Sequence, residues 1–399
     1  MGKYNFDEVI DRRNSNSMNT DGFREYIFHA PPTMKFPYAD DEFVRMWIAD
    51  MEFATAPEII DAVRKRLDKR IFGYTKIFDP AYYEAFNGWC KKLYDWSFEK
   101  EHLVTCNGVI PALYELVDYI TNEYEKILIV TPSYAYFKHA VDFNKRELVT
   151  SDLIEKDNYY TIDFEDFEAK AKDDRVTLCI FCNPHNPSGR VWTEEELKRV
   201  GQICLDNNVM VISDEIHCDL LRNGKKHTPL AKLFPETDQI ITCMAPTKTF
   251  NMAGFMISNI IIPNERIRSI YKDRHYDFEN PLSVAAAQAA YTDGYDWLCE
   301  LKDYLDENFK FTKEYLSKNL PKAVMQISEA TYLGWVNISA YVDCDENLPL
   351  LFANHAGVLL EGGDMFVRNS NGFIRLNLAC PRSILEEGLK RICDLLNNR

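Results

Sequence analysis

Lys248 lies in Ala245-Pro246-Thr247-Lys248-Thr249-Phe250-Asn251-Met252-Ala253-Gly254, a small, hydroxylated, turn-like stretch that follows the strand-forming run Gln239 to Met244. A lysine just past the carboxyl end of a strand faces the crevice of an open α/β sheet. If its ammonium is desolvated or set beside another cation, its pKa falls and the amine can form Schiff bases. Most lysines instead stay in solvent, so the reading depends on partners elsewhere in the chain.

Three other strand ends supply candidates. Gly108-Val109-Ile110 stands where a helix begins, and free N–H groups at the positive end of a helix form a cup for a phosphate. Tyr134 follows the apolar run Ile127 to Val130 and can stack on an aromatic ligand, or simply be a rim tyrosine. In Ser213-Asp214-Glu215-Ile216-His217, an aspartate beyond an apolar strand needs a cationic or hydrogen-bonding partner. A protonated pyridine nitrogen would serve, with a helix cap or loop ion pair as the alternative. Together with Asn183-Pro184-His185-Asn186-Pro187-Ser188-Gly189, these residues suggest pyridoxal phosphate. Cup, aromatic stacker, pyridinium partner and Schiff-base lysine occur in that order on separate strand ends.

The elements that must position them alternate. Apolar strands are predicted at Leu103 to Cys106, Ile127 to Val130, Thr177 to Cys182, Val209 to Ser213, Ile240 to Met244 and Ile257 to Ile262. Helices are expected from Pro57, with Ile59, Ile60, Val63 and Leu67 at helical spacing, and around Tyr83, Phe86, Trp89 and Leu93. Further helices are expected over Ala112 to Ile120 and over Glu194 to Asn207, the latter with a Thr193/Glu196 capping box. Continuous apolar strands between helices predict an α/β fold with a mostly parallel central sheet covered on both faces.

The first forty-odd residues read as irregular, with Pro31-Pro32 and Pro37 breaking any helix, and Phe72-Gly73-Tyr74 reads as a turn. After Pro281 the pattern changes to long helices over Ser283 to Leu316 interrupted at Gly294. Strands at Tyr332 to Ile338, Gly357 to Leu360 and Phe373 to Leu378 follow, then a closing helix over Ser383 to Leu396. The expected organisation is an arm and part of a small domain over 1–49, a large cofactor-binding domain over 50–282, and the rest of a smaller α+β domain over 283–399.

Composition narrows the function classes. With 46 Lys and Arg against 62 Asp and Glu, the net charge of −16 argues against sequence-independent binding of nucleic acid or anionic membranes. No stretch has the length of a membrane span, and the start lacks the apolar core of a signal peptide, so a cytoplasmic setting is expected. Eleven scattered cysteines, including Cys179-x-x-Cys182 inside an apolar run, read as core thiols rather than metal ligands. A nucleotide-binding reading of Lys248-Thr249 fails because the glycines of a P-loop are missing.

Asn-Pro-His-Asn-Pro-Ser-Gly, Ser-Asp-Glu-Ile-His and Thr-Lys-Thr-Phe-Asn resemble the signatures of fold-type I, class I/II aminotransferase-like enzymes that use pyridoxal phosphate. Ile48-Ala49-Asp50-Met51-Glu52-Phe53, the His185 form of the Asn-Pro motif, and Arg375-Leu376-Asn377-Leu378-Ala379-Cys380-Pro381-Arg382 resemble the cystathionine β-lyase or C–S lyase branch, the MalY/PatB type. The resemblance runs from about Trp47 to Leu389.

It implies that Lys248 carries the cofactor as a Schiff base and then takes the α-proton. Asp214 would pair with the pyridine nitrogen, Asn186 would bond the phenolic oxygen, and Tyr134 would stack on the ring. The Val109 and Ile110 amides and Thr247 would hold the phosphate, and Tyr74 would reach the phosphate of a neighbouring subunit in a homodimer. Arg375, with the Ala49 segment, would bind the substrate, the guanidinium gripping its carboxylate. His217 stands where many relatives carry a tyrosine near the phenolic oxygen. Thr247 replaces a common serine, and Met256 occupies a position eight residues after the lysine where many aminotransferases place an arginine.

The implied activity is β-elimination from a sulfur-bearing amino acid. An aminotransferase would use the same residues, and a partner-binding protein that keeps the fold is a rival of another class.

Overall fold

The computed structural model describes residues 2–222, 224–275, 278–343 and 345–399. Its central feature is a seven-stranded sheet in the order Leu103–Cys106, Ser258–Ile261, Ile240–Met244, Met210–Asp214, Val176–Cys182, Lys126–Thr131, Glu147–Asp152. Five of these strands pair in parallel, while Ser258–Ile261 runs antiparallel to both of its neighbours. That strand follows Ile240–Met244 through the lysine turn, without the long helical crossover that a parallel return demands.

Alternate residues of each strand enter different cores, which is why the strands read as unbroken apolar runs. Ile127, Ile129, Leu178, Ile180, Ile212 and Ile241 pack beneath the helices Val109–Ile120 and Ala135–Phe143. Leu128, Val130, Cys179, Phe181 and Val211 pack beneath Phe164–Ala171 and Glu194–Asp206. The capping box at Thr193 is present. The Glu196 amide donates to Thr193 Oγ1 at 3.1 Å, and the Thr193 amide donates to Glu196 Oε2 at 2.8 Å.

A second, four-stranded antiparallel sheet joins Val324–Met325, Leu333–Asn337, Phe373–Asn377 and Glu361–Gly362. The closing helix Arg382–Asn397 buries Leu385, Leu389, Ile392 and Leu396 in the core beneath it. The N-terminal segment is built into this half, since Val44–Arg45 pairs in parallel with Val358–Leu359. Pro281–Asp293 packs on Pro57–Leu67 and Pro80–Tyr94, in a core that also takes Trp297, Leu301 and Leu305 of the helix Tyr295–Asn319.

Three local expectations are corrected. The N-terminal region is not free of helix: Met18–Asp21 and Phe23–Phe28 form before the prolines, and Phe23 and Ile27, one turn apart, bury into a cluster with Phe43 and Trp47. The helix expected from Ala112 begins at Val109. Pro111 is tolerated inside it because N–H groups of a first helical turn have no intrahelical partner to lose. Phe72-Gly73-Tyr74 makes no turn but runs irregularly to Thr75, which bridges to Glu279.

Cys179 and Cys182 are buried free thiols, as are most of the described cysteines; Cys344 lies outside the described residues. Among the described residues no helix is long and apolar enough to cross a membrane.

Candidate active site

The carboxyl ends of the central strands open on a cavity of about 390 Å³. Lys248, Asp214, Asn186, His217, Tyr134, Thr247, Val109, Ile110, Ala49 and Arg375 all line it. Tyr74 does not: it is 87% exposed, with its ring 5.1 Å from that of Phe278.

Lys248 sits on the one-turn helix Pro246–Thr249 directly after Ile240–Met244. Its ammonium donates to the Ala49 carbonyl oxygen at 2.7 Å. Burial pulls its pKa below the ordinary lysine value; Asp50 opposes this and Arg375 adds to it. Thr249 ties the turn down by donating to Asp219 Oδ2 at 2.7 Å, and Asp219 also accepts from Trp89 Nε1 at 2.9 Å and from the Tyr94 hydroxyl.

Asn251 bonds the segment that carries Ala49. Its Nδ2 donates to the carbonyls of Met51 and Phe53 at 3.0 and 2.7 Å, and its Oδ1 accepts from the Met51 amide at 3.0 Å.

Asp214 ends the strand Met210–Asp214 and is buried. Burial pushes its carboxyl up to about 7, against one hydrogen bond from the Ile216 amide at 3.2 Å. The Asn183 amide donates to the Asp214 carbonyl at 2.9 Å, which fixes the Asn183–Gly189 loop beside it. On that loop, Asn186 Oδ1 accepts from Arg375 Nη1 at 3.2 Å. His217 is buried and its Nδ1 has no hydrogen-bond partner. Burial first, then the charges of Lys248 and Arg375, hold its imidazole down at about 3, so it is neutral.

At the other end of the cavity, Val109 and Ile110 open the helix Val109–Ile120, whose N-cap is Gly108 with no side-chain cap. Gly108 has φ +140°, a conformation side-chain-bearing residues avoid. The first amides of this helix are therefore open donors at a positive helix end. Thr247 is buried at the cavity wall, and Met256 also lines the cavity while remaining 54% exposed. Tyr134 belongs to Ser133–Tyr134, a short strand paired with Phe366–Val367.

Arg375 projects from the middle of Phe373–Asn377, flanked by Leu333–Asn337 and Glu361–Gly362. It is 1% exposed and ion-paired with Glu361, and its Nε has no partner. Sequence reasoning missed Glu361. The available signal was a carboxylate closing the apolar run Val358-Leu359-Leu360, which requires a buried cation nearby.

The cavity thus offers a partly buried amine, a buried carboxyl with no cation bonded to it, uncapped helix amides and a buried guanidinium. That donor set fits pyridoxal phosphate: amides for the phosphate, Asp214 for the ring nitrogen and Lys248 for the aldehyde carbon.

A mostly parallel sheet with this lysine turn at its carboxyl edge is the architecture of fold-type I pyridoxal-phosphate enzymes. The chain belongs to the aminotransferase class I and II family, whose model matches residues 42–392. It is 41% identical over 352 residues to the cystathionine beta-lyase PatB of Bacillus subtilis (strain 168), covering 87% of this chain and 91% of that protein. Protein MalY of Escherichia coli (strain K12) is 29% identical over 403 residues, 98% of this chain and 99% of that one. The crystal structure of the PLP-bound C–S lyase from Staphylococcus hominis, complexed with the inhibitor L-cycloserine, superposes with a TM-score of 0.96 at 48% identity, covering 99% of this chain and 98% of that chain. These relatives agree with both the family and the branch that the motifs resemble.

Proposed function

We propose that the cavity binds pyridoxal phosphate and that the chain cleaves the carbon–sulfur bond of cystathionine- or cysteine-type amino acids by β-elimination, giving a thiol, pyruvate and ammonia. The observation that carries this reading is the Lys248 amine, lowered in pKa by burial, in the same cavity as Asp214 and the open amides of Val109 and Ile110. The identity to PatB over most of both chains supports the lyase chemistry.

When bound, the cofactor supplies an electron sink for the carbanion at the substrate's α-carbon. The protein's own groups do the rest. The Val109 and Ile110 amides and Thr247 hold the phosphate, and Tyr134 covers the ring face. Asp214, once paired with a cation, stays ionised and keeps a proton on the ring nitrogen. Asn186 bonds the phenolic oxygen, with His217 adjacent as a neutral imidazole.

Arg375 grips the α-carboxylate, and the Ala49 segment lines the substrate side. Lys248 Nζ removes the α-proton, the task of a general base, to which the burial that lowers its pKa contributes. Loss of that proton and of the β-thiolate leaves 2-aminoacrylate, which water converts to pyruvate and ammonium.

Tyr74 serves a neighbouring subunit's phosphate in a homodimer. Its exposure, with that of Ile71, Phe72 and Phe78, supports this, because such an apolar run is costly in water. Met256 supplies no charge to the phosphate, so the helix end and the partner's tyrosine carry more of it. A cytoplasmic setting is supported by the free thiols of every described cysteine.

The test is to supply L-cystathionine without a keto acid and assay pyruvate and free thiol. Both are expected in equal amounts. Glutamate formed only with added 2-oxoglutarate, and no thiol, overturns the lyase in favour of an aminotransferase.

A further inference from the structure

Arg375, the residue read as the carboxylate grip, already holds a carboxylate. Glu361 lies directly opposite it in the antiparallel pair of Glu361–Gly362 with Phe373–Asn377, and the two side chains form an ion pair. Both line the cavity, and Glu361 is 4% exposed. The guanidinium's remaining bonds run from Nη1 to Asn186 Oδ1 at 3.2 Å and from Nη2 to the Trp47 carbonyl at 3.5 Å, while Nε has no partner. Both two-pronged edges of a guanidinium, Nε with Nη2 and Nη1 with Nη2, include Nη2, the nitrogen that holds Glu361. A substrate carboxylate needs two parallel N–H donors for its strongest binding geometry. It therefore has to take Arg375 donors from Glu361, and it brings a second negative charge to one buried cation.

We propose that Glu361 is a positioning residue for Arg375 that releases the guanidinium to the substrate's α-carboxylate by taking up a proton, so that carboxylate binding is proton-linked.

This rests on the reading of Arg375 as the carboxylate grip. The groups facing Glu361 are Arg375 and Lys248 as cations and the hydroxyls of Tyr26 and Tyr134. Burial raises the Glu361 carboxyl above its ordinary range, and Arg375 opposes this more than Lys248 does. A substrate on Arg375 removes the larger restraint, and Lys248 acting as a base is neutral. An ion left buried without its partner is strongly disfavoured, and protonation removes the charge. The sign follows. The bound state holds one proton more than the free state, so affinity falls as pH rises. Paired with Glu361, Arg375 is also kept in place while the site is empty, since a lone buried guanidinium would seek other acceptors.

The test titrates the holoenzyme with L-alanine, which has no β leaving group, and with methylamine, which has no carboxylate, following the visible cofactor band. Over the pH range in which both amines are protonated, the ratio of the L-alanine to the methylamine dissociation constant is expected to rise by up to ~tenfold per pH unit in the wild type. It should be flat in Glu361→Gln and rise again in Glu361→Asp. A slope that survives in Glu361→Gln overturns the proposal.

Should Glu361→Gln lose the cofactor, calorimetry of the wild type in buffers of different ionisation enthalpy decides. One extra proton taken up with L-alanine supports the proposal, and equal uptake with both ligands overturns it. Arg375→Leu separates the two readings: if it leaves the ligand ratio unchanged, the carboxylate grip itself is wrong, and the proposal falls with it.

Discussion

The Lys248 ammonium donates to the carbonyl of Ala49 at 2.7 Å, a contact between residues 199 positions apart. Asn251 makes it reproducible. Three residues beyond the lysine, its amide side chain bonds the backbone of Met51 and Phe53, so the lysine turn and the Ala49 segment are tied together. The lysine is thereby held at the cavity wall, the kind of preorganisation that the proposed proton transfer calls for.

On the proposed function, replacing Lys248 by Ala removes both the covalent anchor and the base. We expect a colourless protein that binds the cofactor loosely, with pyruvate release from L-cystathionine lowered by at least about 10²-fold, the lower end for a positioned general base. A visible spectrum and a pyruvate assay check this. An unchanged yellow, active enzyme would end the lysine assignment.

Asn251→Ala leaves backbone groups of Met51 and Phe53 without their partner, at a cost of about 1–3 kcal/mol in stability. Asn251 also sits at φ +52°, where alanine is less at ease than asparagine. Thermal unfolding should show the loss, together with a lower kcat from a less restrained lysine. Wild-type stability and rate would mean that Ala49 and Lys248 are aligned by other contacts.

Asp214 gives a pH signature to the cofactor-free protein. Its folded pKa is raised from 3.8 to about 7 by burial. Between those values the folded state keeps a proton that the unfolded state has lost, so this group's contribution to stability falls as pH rises from about 4 to about 7. Subtracting the melting profile of Asp214→Asn from that of the wild type isolates it. Added cofactor, by giving Asp214 a cation, should stabilise the wild type more at neutral than at acid pH. Parallel profiles for the two proteins would show that Asp214 is not raised.

Gly108→Ala places a Cβ 3.3 Å from Pro111 Cδ on a residue at φ +140°. A non-glycine in such a region costs on the order of 1–3 kcal/mol. The strain falls on the first turn of Val109–Ile120, so weaker cofactor binding at a nearly unchanged fold is expected. Equilibrium dialysis of the cofactor measures it, and unaltered affinity would remove Gly108 from the phosphate cup.

Tyr74 is tested by mixing subunits. In a two-fold dimer, Tyr74→Ala and Lys248→Ala chains that exchange freely form heterodimers carrying one site with both wild-type residues. Neither variant alone should be fully active, and the mixture should recover roughly a quarter of wild-type activity for random pairing. No gain on mixing, or a monomer in sedimentation, would take Tyr74 out of the neighbouring site.

Much of this site was legible in the chain because it is encoded locally. Asp214, Asn186, Tyr134 and Lys248 each follow an apolar run, and an apolar run long enough to be a buried strand announces its own carboxyl end. Those four fall on one cavity because parallel strands in one sheet end on the same side. The turn and cap chemistry of Gly108 and Thr193 is equally local, and the Thr193 box formed as its spacing implies. The early start of the Val109 helix was missed because proline suppresses helix only where it removes a bond.

What the residue order determined alone was therefore the α/β alternation, the strand ends and the residue types placed there. Only the tertiary structure decided which distant segments share those ends. Val44 pairs with Val358, Ala49 receives Lys248, and Glu361 faces Arg375 across an antiparallel register. None of these pairings has a local signature: the first two join segments far apart in the chain, and Glu361 and Arg375, although close in sequence, meet through an antiparallel register that the residues between them do not announce. A buried carboxylate such as Glu361 declares that it needs a cation, but only the packed sheet shows that the cation is Arg375.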